Sequence, residues 1–140
     1  CSDFIVLLTR TADEIKSDSH YIEYLLKDVQ NLTDEHYNMM KGFLKNVDNM
    51  FDNDKAFQAY ATEQTYIALS SMMLTAAMLE IDSCPIGGMD KKAVTKILVE
   101  EGLLDTKKFQ VTLGCAFGYR AKPATPKKRQ PLSEVSTIVK

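Results

Sequence analysis

From Ala56 to Leu79 the chain contains neither Gly nor Pro, and this stretch constrains the fold more than any other. It predicts a long helix, on which apolar residues occupy nearly every face from Tyr66 onward. A helix that is apolar all round belongs in a protein core or in a membrane. Thr62, Glu63, Gln64, Ser70, Ser71 and Thr75 interrupt the stretch too often for a membrane span. It is therefore read as a central buried helix. Ala68, Ser70, Ser71, Ala76 and Ala77 are small enough for another helix to pack closely, and Met72, Met73 and Met78 read as core filler.

The remaining elements follow from periodicity and punctuation. Phe4–Thr9 is a short apolar, β-branched run and predicts a buried strand. From Asp13 to about Gln30 the residues Ile15, Ile22, Leu25, Leu26 and Val29 recur at helical spacing. Thr33 is placed to cap a second helix, whose stripe of Tyr37, Met40, Phe43, Leu44 and Val47 extends to about Met50. Pro85 and the pair Gly87-Gly88 predict a sharp loop over Ile81–Asp90, and Asp90 caps a helix to about Glu101 that Gly102 ends. Phe109–Tyr119 predicts a second buried strand, and Arg120–Arg129, rich in Pro and Lys, an extended tail. Two strands make a poor sheet for a core of this size, so a further chain, or a segment before Cys1, is expected to complete it.

With 140 residues, 45% of them hydrophobic, the chain can bury the core of one domain, which excludes disorder and collagen-like repeats. A net charge of −2 argues against a generic nucleic-acid binder. The charge is divided unevenly, however. Residues 1–90 hold 6 Lys/Arg against 15 Asp/Glu, a charge of −9, and residues 91–140 hold 11 against 4, a charge of +7. Such a basic end suits an anionic ligand or simple solvation. Cys1, Cys84 and Cys115 are odd in number and lack CxxC spacing, which argues against a disulfide framework or zinc ribbon and for a reducing cytoplasm. Cys84 and Cys115 are expected as small buried hydrophobes, and His20 and His36 as surface residues without ligand spacing.

No catalytic triad, paired carboxylates, phosphate-binding Walker loop or metal cluster stands out. Two features carry chemistry instead. Gly87-Gly88 offers two adjacent backbone N–H groups with no side chains in the way, suited to an electron-rich acceptor, although such a pair is more often a plain turn. In Pro126-Lys127-Lys128-Arg129-Gln130-Pro131, prolines stiffen a strip in which Lys127 and Arg129 face the same way. An ammonium beside a guanidinium is a phosphate clamp, and a solvated basic run is the plainer alternative. Phe43, Phe51 and Phe57 are expected to pack in the core rather than line a substrate pocket.

Four motifs in order resemble the FMN-dependent nitroreductase family: Gln64-x-Tyr66-Ile67-Ala68-Leu69, Asp82-Ser83-Cys84-Pro85-Ile86-Gly87-Gly88-Met89-Asp90, Phe117-Gly118-Tyr119-Arg120 and Pro126-Lys127-Lys128-Arg129. The likeness is tight from about Ala59 onward and loose over residues 10–55. It implies an α+β fold, a three-layer α-β-α sandwich with a mixed, mainly antiparallel sheet, forming a single domain over residues 1–140 whose extended tail begins at residue 120. It also implies that an N-terminal portion, which in the family carries a basic Arg-Ser-x-Arg-type motif, is missing.

For the site, the resemblance implies that Gly87 presents its backbone N–H to flavin N5, that Pro85, Ile86 and Gly88 line one ring face, and that Lys127 and Arg129 hold the FMN phosphate. Many family members carry Glu where this chain has Gly87. The implied activity is transfer of two electrons from NAD(P)H through FMN to a nitroaromatic, quinone or similar small-molecule acceptor, with no catalytic side chain and no metal. The implied assembly is a cytoplasmic homodimer, with the 56–79 helix at its interface and no membrane or nucleic-acid partner. The alternative is a truncated, non-catalytic fragment that keeps the fold without a complete flavin site.

Overall fold

A computed structural model describes residues 1–139. Its elements are β1 (Asp3–Arg10), α1 (Ala12–Ile15), α2 (His20–Tyr24), a π-helical turn (Leu25–Val29), α3 (Asp34–Asp48) and α4 (Asp54–Met78). They continue as β2 (Asp82–Ile86), α5 (Lys91–Glu100), β3 (Phe109–Gly118) and α6 (Leu132–Val135). The three strands form one antiparallel sheet in the order β1-β3-β2.

Two expectations are corrected here. The expected loop at residues 81–90 begins with β2, so the sheet has three strands among the described residues, not two. Pro85 and the glycines hid this strand, since Pro enters a sheet only where a missing N–H is tolerated, as at an edge. Both strand pairs among the described residues are antiparallel, in keeping with a mainly antiparallel sheet. The second correction concerns the segment after β1. It is broken into two short helices, because Ser19 starts a new one by accepting a hydrogen bond from the Ile22 N–H at 3.1 Å.

Helix α4 lies across the sheet, but it is not buried all round as expected. Only Phe57, Ala61, Leu69 and Ala76 are buried, whereas Ile67 and Leu74 are over 60% exposed. The buried positions follow one another at steps of four, eight and seven residues, so a single stripe carries the packing. Leu69 meets Leu7 of β1 and Leu113 and Cys115 of β3, with Met72, Met73 and Phe117 closing the cluster. Met78, expected as filler, is exposed. A second cluster of Ile22, Leu26 and Tyr37 joins α2 and its π turn to α3.

A polar seam fixes the register of α4 on the sheet. The β1–β3 ladder slips between Leu7 and Leu8, leaving Thr112 as the extra residue of a bulge. The Thr9 hydroxyl bonds that of Thr112 and, at 2.5 Å, that of Thr65 on α4. Gln110 donates to Thr62 at 3.1 Å, and the Gln58 side chain spans the Arg10 carbonyl and the Ala12 N–H. Every buried side-chain nitrogen and oxygen among the described residues has a partner, as a buried polar group must to offset its desolvation.

Both predicted caps form. Thr33 accepts from the His36 N–H, and Asp90 accepts from Lys92 and Ala93. His20 and His36 are exposed as expected. Phe57 is buried and stacked near Phe51 and Tyr60, while Phe43 is 61% exposed and so departs from its expected core role.

Leu113 is 1% exposed inside the main cluster, so Leu113→Ala is expected to cost about 2–5 kcal/mol through the cavity it leaves. Gly118 has φ +153°, and a Cβ there would lie 2.8 Å from the Ser2 backbone nitrogen. Gly118→Ala should therefore destabilise by about 1–3 kcal/mol. Denaturant midpoints of the two variants check both values.

Candidate functional site

Three of the four motifs contribute residues to one end of the sheet, where β2 begins and β3 ends. Register places Asp82 opposite Gly118, Cys84 opposite Ala116 and Ile86 opposite Gly114. The motif that starts β2 therefore lies beside the motif that ends β3. Phe117 packs under α4, Gly118 admits the backbone of Ser2, and Tyr119 stands in solvent. Arg120 then turns back onto β2. Its Nε donates to Asp82 Oδ2 at 2.6 Å, and its Nη2 donates to Oδ1, a two-pronged contact.

This pair shapes the local charge. The Arg120 hydrogen bonds hold the Asp82 carboxyl below its usual range, and the charge of Lys127 adds to the effect. Asp82 in turn holds the Arg120 guanidinium above its ordinary value. Sequence reasoning missed the pairing because 38 residues separate the partners. The one available signal was opposite charge at the ends of two adjoining motifs.

Lys127 is brought to the same place. A cavity of about 720 Å³ is lined by Ser70, Met73, Asp82, Ser83, Arg120 and Lys127, together with two further residues of α4 and with Glu80 and Ile81 just beyond it. Arg129 is not part of that lining, and its guanidinium donates instead to the Lys128 carbonyl at 2.9 Å. The two cations expected to point together are thus not both in this cavity. Pro85 and Ile86 belong to β2, and Gly87 and Gly88 follow directly, exposed. An added Cβ at Gly87 or Gly88 would meet nothing within 4 Å, so the backbone there is open to approach. From Asp82 to Ile86 the strand spans about 13 Å at the usual rise per residue. The Lys127 cavity and the glycine pair therefore sit towards opposite ends of β2.

A second cavity, of about 550 Å³, lies between α4 and the sheet and is lined by Ile5, Met72, Thr75, Leu79, Phe117 and Tyr119, among others. The thiols divide as well. Cys115 is buried, and burial pushes its thiol pKa up, whereas Cys84 is exposed on the edge strand, contrary to expectation. The alternation of β2 explains the difference: Cys84 lies opposite Ala116, on the sheet face away from the cluster that holds Cys115. Among the described residues no group of His, Cys, Asp and Glu could hold a metal ion.

The "Nitroreductase family" model matches residues 10–119. Over 138 residues the chain is 38% identical to "Putative NAD(P)H nitroreductase YfkO" of Bacillus subtilis, a match covering 96% of this chain and 62% of that protein. Among solved structures it is similar to the "putative nitroreductase ydfN" of Bacillus subtilis, with TM-score 0.71, 20% identity, and coverage of 97% of this chain and 63% of that one. It is also similar to a "putative nitroreductase in complex with FMN" from Exiguobacterium sibiricum, with TM-score 0.64, 16% identity, and coverage of 96% and 60%. The chain belongs to the nitroreductase family, and its fold is the α+β fold of these structures. It spans about three fifths of the length of the curated relatives it matches.

Two measurements check the electrostatics described above. In native protein at pH 8 a maleimide should modify Cys84 readily and leave Cys115 untouched until denaturant is added. The Asp82–Arg120 contact should persist as pH falls until Asp82 protonates, below the ordinary carboxylate range. The NMR signal of Arg120 Nε–H, followed from pH 7 downward, should report that midpoint.

Proposed function

We propose that this chain is the flavin-holding part of an FMN-dependent NAD(P)H oxidoreductase of the nitroreductase type. The observation that carries the reading is the strand β2, which has the Lys127–Arg120–Asp82 cavity towards one end and the open Gly87-Gly88 backbone towards the other. A flat ring joined by a flexible chain to a phosphate asks for those two environments at a separation of this kind.

The residues present fit such a group. Lys127, at the cavity, would pair with the phosphate, and Arg129, two residues on along the same arm, would supply the second cation. The Gly87 N–H would donate to the ring at N5, with Pro85, Ile86 and Gly88 against one face. Held by these residues, FMN would supply two-electron transfer from NAD(P)H to a nitroaromatic, quinone or similar acceptor. The protein's own part is to bind, orient and keep one ring face covered, so no side chain need act as acid or base.

The exposed apolar side of α4, with Ile67, Leu74 and Met78, supports a homodimer that covers it. Among the described residues no helix is long and apolar enough to cross a membrane, and all three cysteines are free, which favours a cytoplasmic setting.

Purified protein should be yellow and release FMN on denaturation. Lys127→Gln should raise the Kd for FMN about tenfold or more, the loss of one charge-assisted hydrogen bond. Colourless protein that takes up no added FMN would overturn the reading and leave the non-catalytic alternative.

A further inference from the structure

We infer that Arg120, through Asp82, is a positioning residue that fixes the root of the tail and so sets Lys127 beside β2; the ligand named for that cavity rests on the flavin reading above. The tail from Arg120 to Val139 is exposed along its whole length, and regular structure returns only at Leu132. Such a segment has little of its own to hold it. Yet Lys127, seven residues from Arg120, lines the same cavity as Arg120. Fully extended, seven residues would carry it about 23 Å away. The chain instead bends at Ala121 and Lys122, and Pro123 and Pro126 stiffen the return. When the root of a stiff segment is held in one orientation, its far end is confined as well.

Arg120 supplies that hold. Both prongs of its guanidinium are engaged, which fixes its plane as well as its distance. Asp82 is the first residue of β2 and lies opposite Gly118, so the anchor is built on the sheet and not on another loop. Lys127 itself makes no ion pair among the described residues, so its ammonium is not committed to a protein carboxylate.

Simple electrostatics makes the opposite prediction for one variant, which gives the test its sign. Asp82→Asn removes a negative charge beside the cavity. If Asp82 acted only through its charge, a phosphate would bind more tightly. If it anchors Arg120, the phosphate-bearing ligand binds more weakly, because Lys127 is no longer held in place.

The experiment compares FMN with riboflavin, which has the same ring and no phosphate, by quenching of flavin fluorescence. It uses the full chain, Asp82→Asn, Arg120→Gln and the exchanged double variant Asp82→Arg/Arg120→Asp. Each single variant is expected to weaken FMN about fivefold, in line with one exposed ion pair, and to leave riboflavin unchanged. The exchanged pair should recover most of the loss. In the same samples, heteronuclear NOE values of amides between Ala121 and Gln130 should fall in the single variants and recover in the exchange.

Tighter FMN binding in Asp82→Asn overturns the proposal, and so does equal weakening of both flavins, which marks a merely structural role. Should the unaltered chain bind neither flavin, the flavin reading fails. The NOE comparison then decides the anchor by itself: unchanged values overturn it and lowered values support it.

Discussion

Everything in this molecule hangs on strand β3, whose central residues Val111 to Cys115 are all buried. Among the described strands it is the one bonded on both sides, to β1 and to β2, and it supplies Leu113 and Cys115 to the face that meets Leu69 of α4. Burial of these side chains offsets the chain entropy of joining segments more than 100 residues apart. Once β3 is seated, its last residues necessarily lie beside the first residues of β2, and two distant motifs become neighbours.

That juxtaposition brings the Asp82 carboxylate and the cations of Arg120 and Lys127 around one cavity. The Asp82–Arg120 pair is exposed on both partners, so it adds little to the stability of the whole. Its value is directional. A fork of two hydrogen bonds specifies orientation in a way that a single ammonium contact does not.

Much of the fold was readable from residues. The caps at Thr33 and Asp90 formed because their side chains satisfy helix N–H groups that have no other partner nearby. The ends of β1 and β3 fell within a residue of expectation because β-branched and apolar runs mark buried strands. Strand β2 was hidden because one proline and two glycines within seven residues read as a turn, and nothing local shows that β3 waits beside it. The exposure of α4 was misread for a related reason. Apolar residues on every face promise burial, but they do not say which neighbour provides it, and here only the stripe through Leu69 finds the sheet. In the site, Lys127 was legible as one cation of a basic strip, but the cavity it lines was not, because the α4 and β2 residues that complete it lie far away in sequence. The pairing of Lys127 with Arg129 was inferred from strict alternation, whereas the Arg129 guanidinium turns back to the Lys128 carbonyl.

The proline in β2 has a consequence for growth of the sheet. Five residues long, with Pro85 contributing no donor, β2 is a poor template for a further strand. Strand β1 is eight residues long and proline-free, and among the described strands its outer edge is unpaired. Any strand that joins this sheet by hydrogen bonding therefore has a favoured side. It would extend the sheet past β1, away from Lys127 and the glycine pair, and so leave the candidate site accessible.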